Sequence, residues 1–128
     1  MAELSYREFR EKGYNFFVGV PCSQLDGFIR DLIADKQMQY IPAPREDIAM
    51  AMAVGAYMAG KKPLVFLQNS GLGHLVNIIA SLLKPYGISI HLLISVRSRP
   101  FEHFFMRKIT VPLLKLLEYD NYSTIEEI

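Results

Sequence analysis

Four short polar segments hold the residues that could carry out chemistry, and each follows an apolar run. They are residues 19–23 (GVPCS), 44–47 (PRED), 68–74 (QNSGLGH) and 95–98 (SVRS). In an open parallel sheet, ligands bind beyond the carboxyl ends of the strands. We therefore expect these segments to lie along one edge of a sheet and to form a single site.

The acidic pair Glu46 and Asp47 stands at the start of the most apolar helical pattern in the chain, residues 46–59. The ordinary explanation is structural, because carboxylates at a helix start are stabilised by the free amides and the helix dipole. The apolar neighbourhood supports a second interpretation. A carboxyl group in dry surroundings is favoured in its protonated form, as a proton-exchanging side chain requires.

The glycines of residues 70–73 (SGLG) could hold an anion at a helix start. The segment is not a Walker loop. It is not a complete G-x-G-x-x-G motif either, because Val76 occupies the position of the third glycine. The sequence therefore offers weak support for a phosphate site here.

The remaining candidates are single side chains. Cys22 has no neighbouring base, which is more typical of a small packed side chain than of a nucleophile. His74, His91 and His103 lack metal-ligand spacing, and His91, within an apolar strand, is predicted to be a hydrogen-bonded structural residue. Arg97 follows a strand, where it would suit an anionic group of a substrate or a solvated loop.

Apolar runs of strand length alternate with helical periodicities. Strands are expected near 16–20, 38–41, 64–67 and 88–95, and helices near 4–12, 24–34, 46–59, 74–83 and 110–117. Strands that are apolar on both faces and alternate with helices indicate a parallel sheet between helix layers. The sequence therefore predicts one α/β domain over residues 1–128, with an open, doubly wound, mostly parallel sheet and helices on both faces.

Four details complete this prediction. Residues 68–73 are expected to form a polar turn, and residues 97–108 a mobile surface loop. Pro112 is expected in the first turn of the helix over 110–117. Residues 123–127 are expected to begin a last helix, the rest of which the domain would lack.

The composition limits the classes of partner. Hydrophobic residues make up 51% and charged residues 21%, an apolar excess that predicts a covered surface and a protein partner. A net charge of +1 without a basic block argues against nucleic acid. A single cysteine and a charged N-terminus favour the cytoplasm over export. Residues 63–83 carry no formal charge, but their polar centre argues against a membrane span.

Taken together, these segments resemble the alpha subunits of sulfopyruvate decarboxylase and, less closely, the N-terminal domain of phosphonopyruvate decarboxylase. Both are thiamine diphosphate enzymes. The resemblance runs from about residue 6 to residue 117 and is carried by residues 19–22, 45–47, 55–63, 68–73 and Asn77. The combination of residues 68–73 with the Glu46 helix is specific, whereas neither is specific alone.

The resemblance implies that this chain is a pyrimidine-binding domain. Glu46 would be the catalytic carboxyl, which meets N1′ of the cofactor's aminopyrimidine and helps to activate its thiazolium ring. The residues implied to contact thiamine diphosphate are Glu46, Pro21, Gln68, Asn69, Ser70, Gly71, Gly73 and Asn77. Those implied to face the substrate are Cys22, Ser23, His74 and Arg97. No metal ligand is expected on this chain, because the Gly-Asp-Gly motif that binds Mg²⁺ and the diphosphate is absent and would belong to a beta-type subunit.

The implied reaction is decarboxylation of a small anionic 2-oxo acid within a cytoplasmic hetero-oligomer. The first expectation is 3-sulfopyruvate to sulfoacetaldehyde, a lyase step of coenzyme M biosynthesis, and phosphonopyruvate is the second. Cys22 agrees with the sulfopyruvate branch. His74 stands where the family has asparagine, and Val96 and Ser98 differ from the usual neighbours of Arg97. A carboligase subunit and a non-catalytic assembly module remain open alternatives.

Overall fold

The computed structural model describes residues 5–126, which form a central parallel sheet with helices on both faces. The first helix, α1 (Tyr6–Glu11), begins at Ser5, whose Oγ accepts a hydrogen bond from the Glu8 amide at 3.4 Å. Gly13 follows its end with a φ of +93°, a conformation that glycine adopts without strain. The predicted start of this helix at Leu4 lies outside the described residues.

The sheet has five strands in the order β2-β1-β3-β4-β5, and every neighbouring pair is parallel. The strands are β1 (Phe16–Gly19), β2 (Gln39–Pro42), β3 (Pro63–Gln68), β4 (His91–Val96) and β5 (Tyr122–Glu126). This is a doubly wound order whose topological switch lies between β1 and β3. The predicted fold class is confirmed, and the switch point identifies the part of the sheet edge where a ligand is expected.

The strand side chains alternate between the two faces of the sheet. Apolar side chains lie on both faces, so a helix layer covers each of them. The helices are α1, α2 (Asp26–Ala34), α3 (Glu46–Met58), α4 (Val76–Ile78), α5 (Lys84–Tyr86) and α6 (Phe104–Leu116). Phe17, Phe66 and Leu93 are buried on the face with α1 and α2. Val65 and Leu92 are buried on the opposite face, beneath α3, the helical segment 69–86 and α6.

The segment after β3 differs from its prediction. Residues 68–73 do not form a turn, since a 3₁₀-helix spans Asn69–Leu75 and continues through α4, a π-helical turn (Ile79–Leu83) and α5. The wide turn ends at Leu83, two residues before Pro85. Proline lacks an amide hydrogen and clashes with the carbonyl four residues earlier in a regular α-helix, which a widened turn relieves.

The segment after β4 also corrects the prediction. The irregular stretch ends at residue 100, a 3₁₀-turn covers Phe101–His103, and α6 then runs from Phe104. Pro112 therefore lies inside α6 and not in its first turn. Pro112 and Lys108 are both exposed, so water can satisfy the Lys108 carbonyl that proline leaves without a donor.

The predicted last helix is wrong for the residues that the structure describes. Residues 123–126 belong to β5, which pairs with β4 from Leu92 beside Tyr122 to Val96 beside Glu126, while Glu127 lies outside the described residues. The β-branched Thr124 and Ile125 favour a strand once a parallel neighbour is available. That neighbour lies about thirty residues earlier in the chain, so a local pattern could not indicate it.

The apolar helix α3 is covered on one side only. Ala49, Met50 and Ala53 are fully buried against the sheet, whereas Met52 is 40% exposed and Met58 77% exposed. The apolar excess predicted from the composition therefore lies partly on the side of α3 that no element of residues 5–126 covers. In the span 5–126, none of the helices combines the length and the apolar character needed to cross a bilayer.

Candidate active site

A cavity of about 190 Å³ lies at the carboxyl ends of β1 and β3, at the topological switch point of the sheet. Three of the four predicted polar segments line it. The lining residues are Val20, Pro21, Cys22, Glu46, Gln68, Ser70, Gly71 and His74. The structure thus brings together residues from three of the four segments that were predicted to form a single site, whereas residues 95–98 do not line the cavity.

Glu46 is the first residue of α3, and its side chain is only 10% exposed. Its Oε1 lies 2.9 Å from Nδ1 of His74, whose side chain is 51% exposed. Within residues 5–126, Glu46 Oε2 has no hydrogen-bond partner. Asp47 instead accepts hydrogen bonds from the Ile48 amide and from Arg45 at the helix start. The buried carboxyl therefore keeps one oxygen available to the cavity.

Gly71 packs directly against this carboxyl group. A Cβ at position 71 would lie 2.4 Å from Glu46 Cδ and 2.7 Å from Oε1, distances that real Cβ atoms essentially never show. The backbone of Gly71 is not in the left-handed region, so the requirement is space and not conformation. Glycine at this position allows the Glu46 carboxyl to rest against the backbone of the 3₁₀-helix.

The remaining cavity wall is partly polar and partly apolar. Gln68 Nε2 donates a hydrogen bond of 2.8 Å to Ser70 Oγ, and Val20 and Pro21 supply apolar surface. Cys22 is half-buried in this wall. Ser23 and Gly73, which the resemblance implied for the site, do not line this cavity.

Asn69 lies beside the cavity but turns into the protein. It is fully buried, its Nδ2 donates to Thr110 Oγ1 at 3.1 Å, and its Oδ1 accepts from the Arg97 amide at 3.1 Å. These bonds tie the end of β3 to the end of β4 and to α6. Asn69 therefore stabilises the fold around the cavity through these hydrogen bonds. Its contact with a cofactor stays a prediction.

Two other predicted residues also lie outside the cavity. Asn77 accepts a hydrogen bond of 3.0 Å from Ser81 and lines a neighbouring groove of about 360 Å³ between α3 and the following helical segment. Arg97 does not line the cavity, and its Nε is buried without a hydrogen-bond partner in the described part of the chain. A buried donor without an acceptor is costly, so this nitrogen lowers the stability of the site's surroundings.

The structure adds two residues that sequence reasoning missed. Gln24 accepts a hydrogen bond of 2.5 Å from Ser95 and donates at 3.5 Å to the Val96 carbonyl. Thr110 is the buried partner of Asn69. These pairs are separated by 71, 72 and 41 residues in the chain, and no local pattern signals such contacts.

His91 is the structural histidine that its position predicted. Its Nδ1 lies 2.8 Å from Asn121 Oδ1, and its Nε2 lies 2.8 Å from Ser123 Oγ. Because an amide oxygen only accepts, Nδ1 carries the hydrogen and Nε2 accepts from the Ser123 hydroxyl. Burial lowers the pKa of His91 below its ordinary value, and it outweighs the opposing hydrogen bond to Asn121.

Comparison with known sequences identifies relatives among decarboxylases. The chain is 40% identical over 96 residues to sulfopyruvate decarboxylase subunit alpha of Methanococcus maripaludis, covering 75% of this chain and 58% of that protein. The counterpart of Methanothermobacter thermautotrophicus is 36% identical, with 91% of this chain and 73% of that protein covered. Phosphonopyruvate decarboxylase of Streptomyces viridochromogenes is 36% identical over 84% of this chain and 28% of its own length.

Comparison with solved structures supports the fold. A chain of 2-oxoglutarate:ferredoxin oxidoreductase from Magnetococcus marinus superposes with a TM-score of 0.58 at 16% identity, covering 89% of this chain and 26% of that chain. The family described as "Thiamine pyrophosphate enzyme, N-terminal TPP binding domain" matches residues 1–107. The resemblance predicted from residues 19–22, 45–47, 55–63, 68–73 and Asn77 is confirmed. The chain belongs to the family of thiamine pyrophosphate enzyme N-terminal TPP binding domains.

Proposed function

We propose that this chain supplies the pyrimidine side of the active site in a thiamine diphosphate-dependent decarboxylase that acts on a small anionic 2-oxo acid. The first candidate substrate is 3-sulfopyruvate, with phosphonopyruvate next. The observation that carries the proposal is the nearly buried Glu46 carboxyl, which lines the cavity and whose Oε2 accepts no hydrogen bond within residues 5–126. The names of the relatives support the same reaction class.

The size and donor set of the cavity fit one ring of the cofactor. The cavity of about 190 Å³ would hold the pyrimidine ring of the cofactor, while the diphosphate would lie outside it. Glu46 Oε2 would meet a ring nitrogen, and Val20 and Pro21 would contact the ring's apolar surface. When bound, thiamine diphosphate supplies the nucleophilic carbon and the electron sink that 2-oxo acid decarboxylation requires.

The task of Glu46 is to hold or release a proton at the oxygen that faces the ring nitrogen. A hydrogen bond is stronger electrostatically in a dry, low-dielectric site than in water. Burial of the carboxyl therefore strengthens its contact with a nitrogen that shares the proton. Gly71 supports this task, because it lets the carboxyl lie against the backbone and limits its freedom to swing away.

The anionic part of the substrate would be bound by residues around the cavity. Arg97 follows β4 at the same sheet edge, where its guanidinium group would pair with a sulfonate or phosphonate. Cys22 and His74 line the cavity, and Ser23 is adjacent to it in the chain. We assign these four residues to the substrate side of the site as part of the proposal.

A beta-type subunit would complete the site by binding the diphosphate and Mg²⁺. Ile48 and Met52 are each 40% exposed on α3 and lie one turn apart, and Ile48 lines the groove between α3 and the following helical segment. Exposed apolar surface that adjoins a site is typical of a protein interface. The relatives named as alpha subunits support a partner of this kind. The chain spans 58% of the length of the M. maripaludis relative, so the whole enzyme's activity remains part of the proposal.

The test reconstitutes the chain with its diphosphate-binding partner, thiamine diphosphate and MgCl₂, and measures CO₂ release from 3-sulfopyruvate and phosphonopyruvate. We expect Glu46→Gln to lower the rate by about 100-fold or more, the usual size of an acid–base contribution. Glu11→Gln is the matched control, because Glu11 is exposed on α1 and remote from the cavity. Full activity of Glu46→Gln, or no CO₂ from either acid, would overturn the proposal.

Two alternatives are resolved by the same preparation. A ligation product that forms when an acceptor aldehyde is added would favour a carboligase. Calorimetric titration of thiamine diphosphate with and without the partner tests the assembly module, because a catalytic subunit must form a cofactor-dependent complex. The absence of that complex under both conditions would favour the assembly module.

A further inference from the structure

We propose that His74 is a positioning residue that orients the Glu46 carboxyl and directs any proton on it to Oε2. This inference rests on the proposed function of Glu46 and adds a residue to it. Its basis is the contact of 2.9 Å between His74 Nδ1 and Glu46 Oε1 at the wall of the cavity.

His74 is the hydrogen-bond partner of the Glu46 carboxyl in the described residues 5–126. The carboxyl is held from two sides, by the imidazole at Oε1 and by the backbone of Gly71, where no side chain is possible without displacement. His74 and Gly71 both belong to the 3₁₀-helix Asn69–Leu75. The same local element therefore packs against the carboxyl and donates to it.

The direction of the hydrogen bond decides where a proton can sit. An ionised carboxylate only accepts, so His74 Nδ1 must carry the hydrogen, and in the neutral ring Nε2 is then the acceptor nitrogen. With Oε1 occupied by this donor, a proton taken up by Glu46 binds at Oε2. Oε2 is the oxygen without a hydrogen-bond partner within residues 5–126, and it is therefore the one left for a ring nitrogen.

The surroundings of the pair contain few other titratable groups. Cys22 lines the same cavity on the side of β1, and Asp47 lines the adjoining groove on α3, where Arg45 pairs with it. The other groove residues from the helical segment are Asn77, Ile78, Ser81 and Leu82, and none of them titrates. Glu46 and His74 are thus the two ionisable side chains that meet where the cavity adjoins the groove.

The first test needs no cofactor. Nitrogen-15 NMR of the chain alone, at a pH above about 8 where an ordinary histidine is neutral, distinguishes the two tautomers by the shifts of the ring nitrogens. We expect His74 to carry its hydrogen on Nδ1, and the signal is assigned by its loss in His74→Asn. His91, whose Nδ1 hydrogen the structure assigns through Asn121, is an internal reference. An Nε2–H tautomer at His74 would overturn the proposal.

The second test measures hydrogen–deuterium exchange at C2 of thiamine diphosphate in the reconstituted complex. His74→Leu should slow exchange by about tenfold to a hundredfold, the size expected when a hydrogen bond to a charged group is lost. His74→Asn should recover most of that loss, because its amide group donates at a similar position. Equal exchange rates in the wild type and His74→Leu would overturn the role of His74.

The outcomes separate this inference from the proposed function. Exchange that is unaffected by Glu46→Gln refutes the function of Glu46 itself. Exchange that is slowed by Glu46→Gln but not by His74→Leu leaves that function standing and refutes the positioning role. A similar loss in His74→Asn and His74→Leu also refutes positioning, because the donor of the asparagine amide should suffice.

Discussion

The packing of Gly71 against Glu46 makes Gly71→Ala the most informative single substitution. The added methyl group would lie 2.4 Å from Glu46 Cδ and 2.6 Å from Cγ, whereas ordinary van der Waals contact begins at 3.4 Å. The carboxyl must therefore withdraw by about 1 Å. Because its contact with His74 measures 2.9 Å, a displacement of that size breaks the hydrogen bond or strains it severely.

Two magnitudes follow from this displacement. Overpacking of a well-packed site costs about 1–3 kcal/mol, and the flexible Glu46 side chain places Gly71→Ala at the lower end of that range. A misplacement of about 1 Å at a catalytic group costs about 100-fold in rate. We therefore expect a modest loss of stability and a large loss of activity.

The assays are urea unfolding of the chain and CO₂ release by the reconstituted complex. Gly27→Ala in α2 is the control, because a Cβ there meets no atom within 4 Å and helical alanine stabilises by about 0.5–1 kcal/mol relative to glycine. Gly71→Ala added to Glu46→Gln should cost little further activity, since both changes act through one carboxyl. Wild-type activity in Gly71→Ala would refute the reasoning.

Three further predictions concern the frame around the site. Asn69→Ala should lower the free energy of unfolding by about 1–3 kcal/mol in urea titrations, because the Arg97 amide and the Thr110 hydroxyl lose a buried partner. An unchanged unfolding midpoint would show that these two hydrogen bonds do not stabilise the fold. Because the pKa of His91 is lowered in the folded chain, the unfolded chain binds more protons than the folded chain below about pH 6.5. The free energy of unfolding should therefore fall as the pH drops below about 6.5 and level off below the folded-state pKa. A His91→Gln variant that keeps the same pH dependence would contradict this prediction. Met52→Glu should weaken association with the partner subunit by at least about tenfold in calorimetry, since charged residues are depleted at interface cores; undiminished binding would exclude this face of α3 from the interface.

Much of the fold could be predicted because its signals are local. The apolar run that became β1 and the breakers around it are contiguous in the chain, and predicted and observed bounds differ by one residue at its end. The start of α3 at Glu46 was likewise predicted, because an acidic pair precedes a long apolar pattern. Such features depend on periodicity and helix-start chemistry within one or two turns.

The errors fall where distant contacts override local preference. α6 begins at Phe104, although the side chains of Phe101, Phe104 and Phe105 remain exposed. Pro112 lies within this helix, whereas its residue type had predicted a helix start. β5 became a strand because β4 presents a parallel edge to it. The hydrogen bonds of Asn69 to Thr110 and to the Arg97 amide likewise join distant parts of the chain and could not be predicted from a local pattern, whereas its contact with a cofactor stays a prediction.

The sequence by itself determined the alternation of strands and helices, the polar segments that follow the strands, and the family to which the chain belongs. Only the tertiary structure decided which of those polar groups meet. Glu46 and His74 are 28 residues apart, and their contact depends on the parallel pairing of β1 with β3 at the switch point and on the backbone of Gly71. The physical reason is that periodicity is a property of neighbouring residues, whereas a hydrogen bond between distant side chains exists only after the strand order and the helix packing bring them together.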